Sequence, residues 1–323
     1  MRFRTSSSGE CTWRVLCLAV NRKLFGLVAI GLLAAGAFAF VAVDYFADPP
    51  TASCANPPTT FSEKTDLFNH NEVAVQFTCE GKRQAGTLYL PSSAGPYPVA
   101  VWVHGAGPEP RLKFGDLIRS LANAGIAVFS YDKRGVGESE GSCCPGDNGR
   151  FNLLSADVAG AVDGLASRLD LRKDEIGLIG ASQAGWVAAK AATMSGNVAF
   201  IALASATPLT ERTANLYERL AGGAEGQLSK AEISRRLESA GSSGFDPLPY
   251  LRQLNIPSLW MLGTADDRIP VPESVARLEQ LKKEGKDITI VTFSDAGHGL
   301  LDTPPTASDA PPTLVNWVVK HLH

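Results

Sequence analysis

The chain has 323 residues, of which 45% are hydrophobic and 20% charged, so it is too apolar for a disordered protein. Its formal net charge of −3 offers no case for nucleic-acid binding, and we expect no nucleic-acid partner. The charges are unevenly spread, since residues 1–23 hold five basic side chains and one acidic, and residues 24–43 hold none. Residues 44–323 hold 25 basic and 32 acidic side chains, which makes a mildly acidic body.

Residues 24–43 have the length and composition of a transmembrane helix. At about 1.5 Å per residue they span the roughly 30 Å hydrocarbon core of a bilayer. Because the basic residues come first, the positive-inside rule keeps residues 1–23 in the cytoplasm and places the body outside it. The alternative is a signal peptide cleaved near Ala37-Phe38-Ala39, which would give an exported soluble protein. We favour the uncleaved anchor, because the basic and apolar runs are both long for a signal peptide.

Residues 44–71 are predicted to be a spacer that separates the membrane from a folded domain at 72–323. The composition of this spacer, rich in Pro, Thr, Ser and Ala up to residue 66, is typical of an extended segment. Four cysteines of the exported part can form disulfides in three pairings, and the two adjacent ones make poor partners for each other. These four are Cys54, Cys79, Cys143 and Cys144. The sequence has no common zinc motif, and we expect no metal or organic cofactor.

The hydrophobic pattern after residue 72 predicts an α/β fold. Alternation over 73–78 and 85–90 predicts an antiparallel pair of strands. Short apolar runs then alternate with helical patterns, which is typical of a doubly wound, mostly parallel sheet. The further predicted strands are 99–103, 126–131, 176–179, 198–204, 258–262 and 288–293. The predicted helices of the same region are 112–124, 153–169, 183–194, 273–283 and 312–322.

Residues 208–250 interrupt this alternation. They contain helical stretches at 209–220 and 230–240, joined by glycine-rich segments, and no predicted strand. An insertion at the carboxyl edge of a parallel sheet is typical of a cap above a site. We therefore predict a small helical cap here and expect it to supply the groups that bind the substrate's acyl part.

A strand, a sharp turn and a helix meet at residues 180–185, which read Gly-Ala-Ser-Gln-Ala-Gly. The small residues around Ser182 allow a strained turn that holds the serine hydroxyl out at the sheet edge. The helix that follows points free N–H groups, including that of Gln183, toward any negative oxygen formed there. The pattern departs from G-x-S-x-G, because Ala184 stands at the fifth position.

A serine hydroxyl needs a base to remove its proton, and the base needs an acid to orient it. Among the five histidines, His298 lies in a glycine-flanked loop directly after the last predicted strand, which makes it the candidate base. His104 also follows a strand, and we interpret it as structural. Asp266, just past another strand, is the preferred acid, Asp267 is the second choice and Asp295 the third.

The loop at residues 104–107 follows the first buried strand and reads His-Gly-Ala-Gly. Its small residues allow a backbone N–H, that of Ala106, to join the Gln183 N–H in an oxyanion hole. The donor loop, the serine turn, the acid loop and the histidine loop each come directly after a predicted strand, at the same sheet edge. This conjunction predicts a catalytic triad of the serine, aspartate and histidine.

Several motifs carry a resemblance to a known family. They are Val103-His104-Gly105-Ala106-Gly107, the stretch from Tyr131 to Ser139, the serine turn, Gly263-x-x-Asp266-x-x-Ile269-Pro270 and Gly297-His298. With the order Ser…Asp…His, residues from about 72 onward resemble the α/β-hydrolase family, in particular its serine aminopeptidase-like and prolyl-oligopeptidase-like branches. The resemblance implies a structural turn around Asp132 and Arg134, with no catalytic role for either. It also implies a serine hydrolase acting on a small acyl substrate.

The default expectation is a carboxylic esterase that works through an acyl-enzyme. A serine peptidase for short peptides or a thioesterase on the same triad is the alternative within this chemistry. An alternative of another class is a catalytically silent hydrolase fold, displayed on the membrane as a binding module. The sequence predicts no oligomeric state.

Overall fold

A computed structural model of the chain describes residues 52–67, 70–142, 149–222, 228–239, 241, 243–301 and 307–322. The predicted head and membrane segment (1–43), together with Cys143 and Cys144, lie outside the described residues. Among the helices of the described residues, none is both long enough and apolar enough to cross a membrane.

Ten strands of the described residues form one sheet. They are β1 (Thr59–Phe61), β2 (Thr65–Asp66), β3 (Asn71–Cys79), β4 (Lys82–Leu90), β5 (Tyr97–Val103), β6 (Ala127–Tyr131), β7 (Leu171–Ala181), β8 (Val198–Ala204), β9 (Ser258–Gly263) and β10 (Ile288–Phe293). The strand order is β1-β3-β4-β6-β5-β7-β8-β9-β10, with β2 beside β3. The strands up to β4 pair antiparallel, as does β4 with β6, while β5 to β10 pair parallel. The predicted mostly parallel α/β sheet is confirmed.

Helices cover both faces of this sheet, as its strands require, because a central strand such as β5 is buried along its whole length. The helices are α1 (Asp116–Asn123), α2 (Gly149–Leu165), α3 (Ala184–Met194), α4 (Glu211–Ala221), α5 (Lys230–Ser239), α6 (Leu248–Gln253), α7 (Val271–Lys283) and α8 (Ala310–Lys320). One apolar cluster joins α1 and α8 through Leu121 and Leu314. The other joins α2, α3 and α7 through Val162, Val187 and Leu278.

Residues 52–66 differ from the predicted spacer, because they pack on the edge of the sheet. β1 pairs antiparallel with β3, with Thr59 opposite Phe77, and β2 pairs with the start of the same strand. These short strands cover the open edge of β3, which would otherwise expose unpaired backbone groups. Cys54 and Cys79 are buried there as free thiols. The folded domain therefore includes this segment and begins well before residue 72.

Helix α1 begins at Asp116, although the sequence pattern predicts helix from residue 112. The reason is that side chains near β6 hold the preceding backbone extended. The N–H of Arg111 donates to Asp132 Oδ1 at 2.8 Å, and the N–H of Leu112 donates to Ser130 Oγ at 2.8 Å. Both acceptors are remote in sequence, so the apolar spacing alone misplaces the start of the helix.

Helix α2 ends at Leu165, four residues before the predicted end. The chain turns here, with the Ser167 N–H donating to the Gly164 carbonyl, and Arg168 then pairs with Asp170 at 2.6 Å. Leu169, the last residue of the predicted helix, is 99% exposed.

Candidate active site

Ser182 lies at the apex of a tight turn between β7 and α3. Its φ is +58°, a left-handed conformation that is uncommon for residues other than glycine and is typical of a strained functional turn. The turn is fixed by backbone hydrogen bonds, because the Ser182 N–H donates to the Ala204 carbonyl at 3.0 Å and its carbonyl accepts from the Gly185 N–H at 3.0 Å. The half-buried serine is thus held at the carboxyl end of the central strands.

Two glycines allow the turn to pack closely against its neighbours. A Cβ on Gly180 would lie 2.3 Å from the carbonyl oxygen of Val103, so any side chain here would force β5 and β7 apart. A Cβ on Gly185 would lie 3.0 Å from the Cβ of Ala206. The close approach of α3 to the sheet therefore falls at Gly185. This explains why the fifth position of the motif tolerates the methyl group of Ala184, which is itself buried.

Asp266 and His298 form a hydrogen-bonded pair beside this turn. Asp266 Oδ2 lies 2.8 Å from His298 Nδ1, and the aspartate side chain is completely buried. The other carboxylate oxygen, Oδ1, accepts the backbone N–H groups of Arg268 at 2.8 Å and Ile269 at 3.1 Å. The carboxylate is therefore fixed and oriented, with Oδ2 placed to accept a hydrogen bond from His298 Nδ1–H.

The structure separates the three candidate acids. Asp267 and Asp295 are both exposed, and Asp295 lies at φ +56° with its N–H donating to Thr264 Oγ1 at 2.9 Å. Asp266 is the one whose carboxylate contacts His298.

The second nitrogen of the His298 ring is available for proton transfer. Nε2 is buried and has no hydrogen-bond partner within the described part of the chain. With Nδ1 donating to Asp266, a neutral ring has its lone pair on Nε2. His298 and Ser182 line the same cavity, which brings the base and the hydroxyl to one site.

The loop after β5 lies directly against the serine turn. A Cβ on Gly105 would be 3.7 Å from Ser182 Cβ, and Ala106 lines the same cavity as the serine. On the other side, α3 begins at Ala184 with Gln183 as its N-cap residue. Among the described residues, neither the Ala106 nor the Gln183 backbone N–H donates a hydrogen bond. Both predicted oxyanion donors therefore border the serine.

His104 is built into this loop, in agreement with a structural role. Its Nε2 lies 2.5 Å from the Tyr131 carbonyl oxygen and its Nδ1 lies 3.2 Å from Glu109 Oε2. The Gly105 N–H also donates to Glu109 Oε2 at 3.1 Å. The ring is buried and both of its nitrogens face oxygen acceptors, so it anchors the loop and offers no free nitrogen to the serine.

Comparison with known proteins assigns the chain to a family. The model of the prolyl oligopeptidase family matches residues 113–323, which is well over half of the chain. The chain belongs to the prolyl oligopeptidase family. It is therefore a serine hydrolase with the α/β-hydrolase fold. The catalytically silent binding module loses its support.

Three relatives show how far the similarity extends. Esterase EstD of Thermotoga maritima is 25% identical over 240 residues, which are 66% of this chain and 57% of that protein. Acylamino-acid-releasing enzyme 1 of Oryza sativa is 29% identical over 76 residues, which are 24% of this chain and only 10% of that enzyme. The solved structure of acetyl xylan esterase 1 from Thermoanaerobacterium has a TM-score of 0.62 at 18% identity, covering 83% of this chain and 89% of that one. This last likeness shows the shared fold alone.

A cavity of about 420 Å³ opens beside Ser182 in this prolyl oligopeptidase family member. Its apolar wall comes from the end of β5, from the loop and first turn of α1, and from the segment after His298. These side chains are Trp102, Leu112, Leu117, Leu300 and Leu301. Charged side chains lie at its border, among them Lys113 and Arg268.

The cap prediction needs a correction with respect to this cavity. The segment 208–250 does hold helices α4, α5 and α6, and the Tyr217 hydroxyl donates to the Asp266 carbonyl at 3.1 Å. However, no described residue of this segment lines the cavity at Ser182. Much of the wall comes from residues 102–118 instead, because the backbone hydrogen bonds of Arg111 and Leu112 hold that loop across the sheet edge.

The turn from Asp132 to Ser139 has the structural role that the family resemblance implied. Asp132 accepts the N–H of Arg111 at 2.8 Å and its guanidinium at 2.6 Å. Arg134 forms a buried ion pair with Asp157, and its guanidinium also donates to the Cys79 carbonyl. None of these contacts involves Ser182.

Lys133, between these two residues, is the site feature that sequence reasoning missed. Its side chain is 1% exposed, and its Nζ lies 2.6 Å from the Gly105 carbonyl, 3.0 Å from the Gly107 carbonyl and 2.8 Å from Gln183 Oε1. A lysine inside a loop motif is most often solvated, so the sequence carries no signal for this burial. The contact partners come from the two loops beside Ser182.

Proposed function

We propose that this serine hydrolase cleaves carboxylic esters through a triad of Ser182, His298 and Asp266. The observation that carries the proposal is the Asp266–His298 hydrogen bond of 2.8 Å, which leaves His298 Nε2 unpartnered among the described residues, in the cavity that Ser182 lines. A hydroxyl, a free imidazole nitrogen and a buried orienting carboxylate are the parts that acyl transfer needs.

In the proposed first step, His298 Nε2 takes the proton of the Ser182 hydroxyl while Oγ attacks the ester carbon. The positive charge that forms on the imidazole is stabilised by Asp266. The same proton then passes to the leaving alcohol, the C–O bond breaks, and an acyl-enzyme remains. Water reverses these roles: His298 takes a proton from water, hydroxide attacks the acyl carbon, and the proton returns to Ser182.

The negative oxygen of each tetrahedral intermediate is proposed to rest on the backbone N–H groups of Ala106 and Gln183. Two observations support this role: both residues lie next to Ser182, and neither backbone N–H has a hydrogen-bond acceptor within the described chain. Donors that are fixed before the reaction stabilise the developing charge without reorganisation, and removal of one is worth about 100- to 1,000-fold in kcat.

An ester with a small apolar acyl group is the proposed substrate class. The cavity beside Ser182 has an apolar wall that includes Leu117 and Leu300, and its volume of about 420 Å³ is at the small end for ligand sites. The similarity to Esterase EstD, which extends over 66% of this chain, points in the same direction. No metal or organic cofactor takes part in this mechanism.

A peptidase that releases acylated amino acids is the second candidate, together with a thioesterase. The local similarity to the acylamino-acid-releasing enzyme of Oryza sativa favours the peptidase, although it covers only 76 residues. A panel of p-nitrophenyl esters from two to eight carbons, acyl-aminoacyl p-nitroanilides and acyl thioesters separates these candidates. The proposal predicts the highest kcat/KM on a short ester, and a higher kcat/KM on the anilides would replace it with the peptidase.

The triad is tested by Ser182→Ala on the best substrate of that panel. Loss of the nucleophile removes the covalent route, so we expect kcat to fall by about 10⁴-fold or more with the fold retained. Ser195→Ala, at a buried serine at the far end of α3 that donates to Asp163 Oδ1, is a matched control that should keep kcat within about threefold. Full activity of the Ser182 variant would exclude the proposed mechanism.

We also propose that residues 24–43 anchor the enzyme in a membrane with the hydrolase domain outside the cytoplasm. The support is the uncharged run itself and the basic residues that precede it. Amino-terminal sequencing of the mature protein from membranes tests this. A start at residue 1 or 2 supports the anchor, and a start near residue 40 would replace it with an exported soluble enzyme.

A further inference from the structure

Lys133 connects the two parts of the proposed oxyanion hole. Two of its acceptors, the carbonyls of Gly105 and Gly107, flank Ala106, whose N–H is one proposed donor. The third acceptor is the side-chain oxygen of Gln183, whose backbone N–H is the other proposed donor. The three N–H bonds of one ammonium group thus join a loop after β5 to the residue that follows the nucleophile.

Among the described residues, no carboxylate forms an ion pair with the buried ammonium group, although that of Glu109, bound to the Gly105 N–H, is near enough to attract it. Within the described chain, no carboxylate oxygen lies within 4.0 Å of Lys133 Nζ, although other lysines and arginines do form such pairs. Burial of a cation without a paired anion costs stability. Three hydrogen bonds from neutral acceptors offset part of this cost. The remaining positive charge lies against the carbonyls of the two residues that flank Ala106, whose N–H is proposed to bind the negative oxygen.

We propose that Lys133 is a positioning residue for the oxyanion hole: it fixes the Ala106 loop and Gln183 relative to each other and adds positive potential beneath the developing oxyanion. This inference rests on the proposed function, since it assumes that Ala106 and Gln183 are the donors. It adds a residue that makes no contact with the reacting atoms. Its effect should appear in the transition state, when the oxygen becomes negative, and little in substrate binding.

The test compares Lys133→Met with Lys286→Met on the best ester substrate. Lys286 is a matched control, because its Nζ also donates to a backbone carbonyl and a side-chain amide, those of Leu254 and Asn255. We expect Lys133→Met to lower kcat by about 10- to 100-fold with KM changed less than about threefold, and Lys286→Met to leave both unchanged. Equal kcat values for Lys133→Met and wild type would overturn the inference.

A boronic acid inhibitor gives a readout that a merely structural lysine would not move. It forms a tetrahedral adduct on the serine with an oxygen in the oxyanion hole, so Lys133→Met should weaken its binding by the same factor as it lowers kcat/KM. Binding of the product alcohol, which carries no negative charge, should change less than about threefold. Equal weakening of both ligands would indicate general damage to the site and contradict the positioning role.

Two further comparisons keep the inference testable if Lys133→Met is poorly folded. Lys133→Arg keeps the charge and several donors, so it should retain a higher kcat than Lys133→Gln. Gln183→Ala removes one acceptor of Lys133, and it should cost less activity in the Lys133→Gln background than in wild type. Additive losses would show that the two residues act independently and would contradict the inference.

The proposed triad and the proposed role of Lys133 are rejected by different results. An active Ser182→Ala variant would reject the proposed function, whatever Lys133 does. Loss of activity in Ser182→Ala together with wild-type kinetics and boronate affinity in Lys133→Met would retain the proposed triad and reject only the positioning role of Lys133.

Discussion

Two loops at the same sheet edge hold their functional groups in different ways. The loop after β9 is fixed by its own backbone, since Asp266 Oδ1 accepts the N–H groups of Arg268 and Ile269, two and three residues further on. The loop after β5 is fixed by side chains distant in sequence, because Lys133 binds the carbonyls of Gly105 and Gly107. The carboxylate of the first loop is thus oriented locally, although backbone hydrogen bonds to Phe293 and Ala296 also hold that loop, and the second loop depends on the turn after β6.

This difference predicts where mutations act. A change in the acid loop should affect the residue that is changed and its direct partner. A change in the turn after β6 should instead alter the donor loop, although the substituted residue contacts no reacting atom. Variants of Asp266 and Glu109, together with the Lys133 variants, test this contrast.

The largest effect is expected in the acid loop. Asp266→Asn keeps Oδ1 as an acceptor for the two N–H groups, but it presents an amide N–H to His298 Nδ1 and so favours the wrong tautomer. We expect kcat to fall by about 10³- to 10⁴-fold with little change in thermal stability, as measured by steady-state kinetics and a melting curve. Asp267→Asn, at the exposed neighbour, should keep nearly full activity, and equal losses in both variants would contradict the assignment.

A smaller effect is expected at Glu109, which supports the donor loop from within. Its carboxylate accepts the Gly105 N–H at 3.1 Å and contacts His104 Nδ1 at 3.2 Å. We expect Glu109→Ala to lower kcat about tenfold, and Glu109→Gln, which keeps one acceptor, to lower it less. If alanine and glutamine variants both keep wild-type kcat, the loop does not depend on this residue.

The smallest effect is expected in the pH profile. Burial lowers the pKa of Lys133 to about 8, with Glu109 opposing this shift by attraction and Arg150 adding to it by repulsion. Above pH 8 the neutral amine has only two N–H groups for three acceptors, so kcat of wild type should fall about threefold between pH 8 and 9.5. Lys133→Met should lack this decline, and a wild-type profile in that variant would assign the decline to another group.

Stability should change with pH in the opposite direction to activity. The pKa of Lys133 is lower in the folded protein than its ordinary value of 10.5, so the unfolded chain binds more protons between these two values. The free energy of unfolding of wild type, relative to Lys133→Met, should therefore rise from about pH 8 to 10.5. Denaturant titrations at several pH values measure this difference, and a fall would contradict the burial of the cation.

Much of the sheet and of the placing of the candidate site residues could be predicted because the signals are local. Apolar runs such as β5 identify buried strands, and each residue of the proposed triad follows one of them directly. The sequence favoured Asp266 over Asp267 and Asp295 as the acid, and the structure places the Asp266 carboxylate against His298. Because each of these strands ends at the carboxyl edge of the sheet, the position of the residue that follows can be predicted without any knowledge of distant contacts.

The sequence was misleading where contacts between distant segments decide the structure. Residues 52–66 have the composition of a spacer, yet they pair with β3, since an open edge strand can be covered by a short polar segment. The start of α1 is set by Asp132 and Ser130, and the cavity wall follows from that loop. Lys133 was missed for the same reason, because its three acceptors lie 26 to 50 residues away in sequence.

The central claim is that Ser182 is the nucleophile, and covalent trapping tests it most directly. The full-length protein is treated with a fluorophosphonate probe, and peptide mass spectrometry then locates the adduct. We expect one equivalent of phosphonate on Ser182 in wild type, none in Ser182→Ala, and much slower labelling in His298→Ala. Wild-type protein that hydrolyses its substrate but carries the label on another residue, or carries none, would contradict the account.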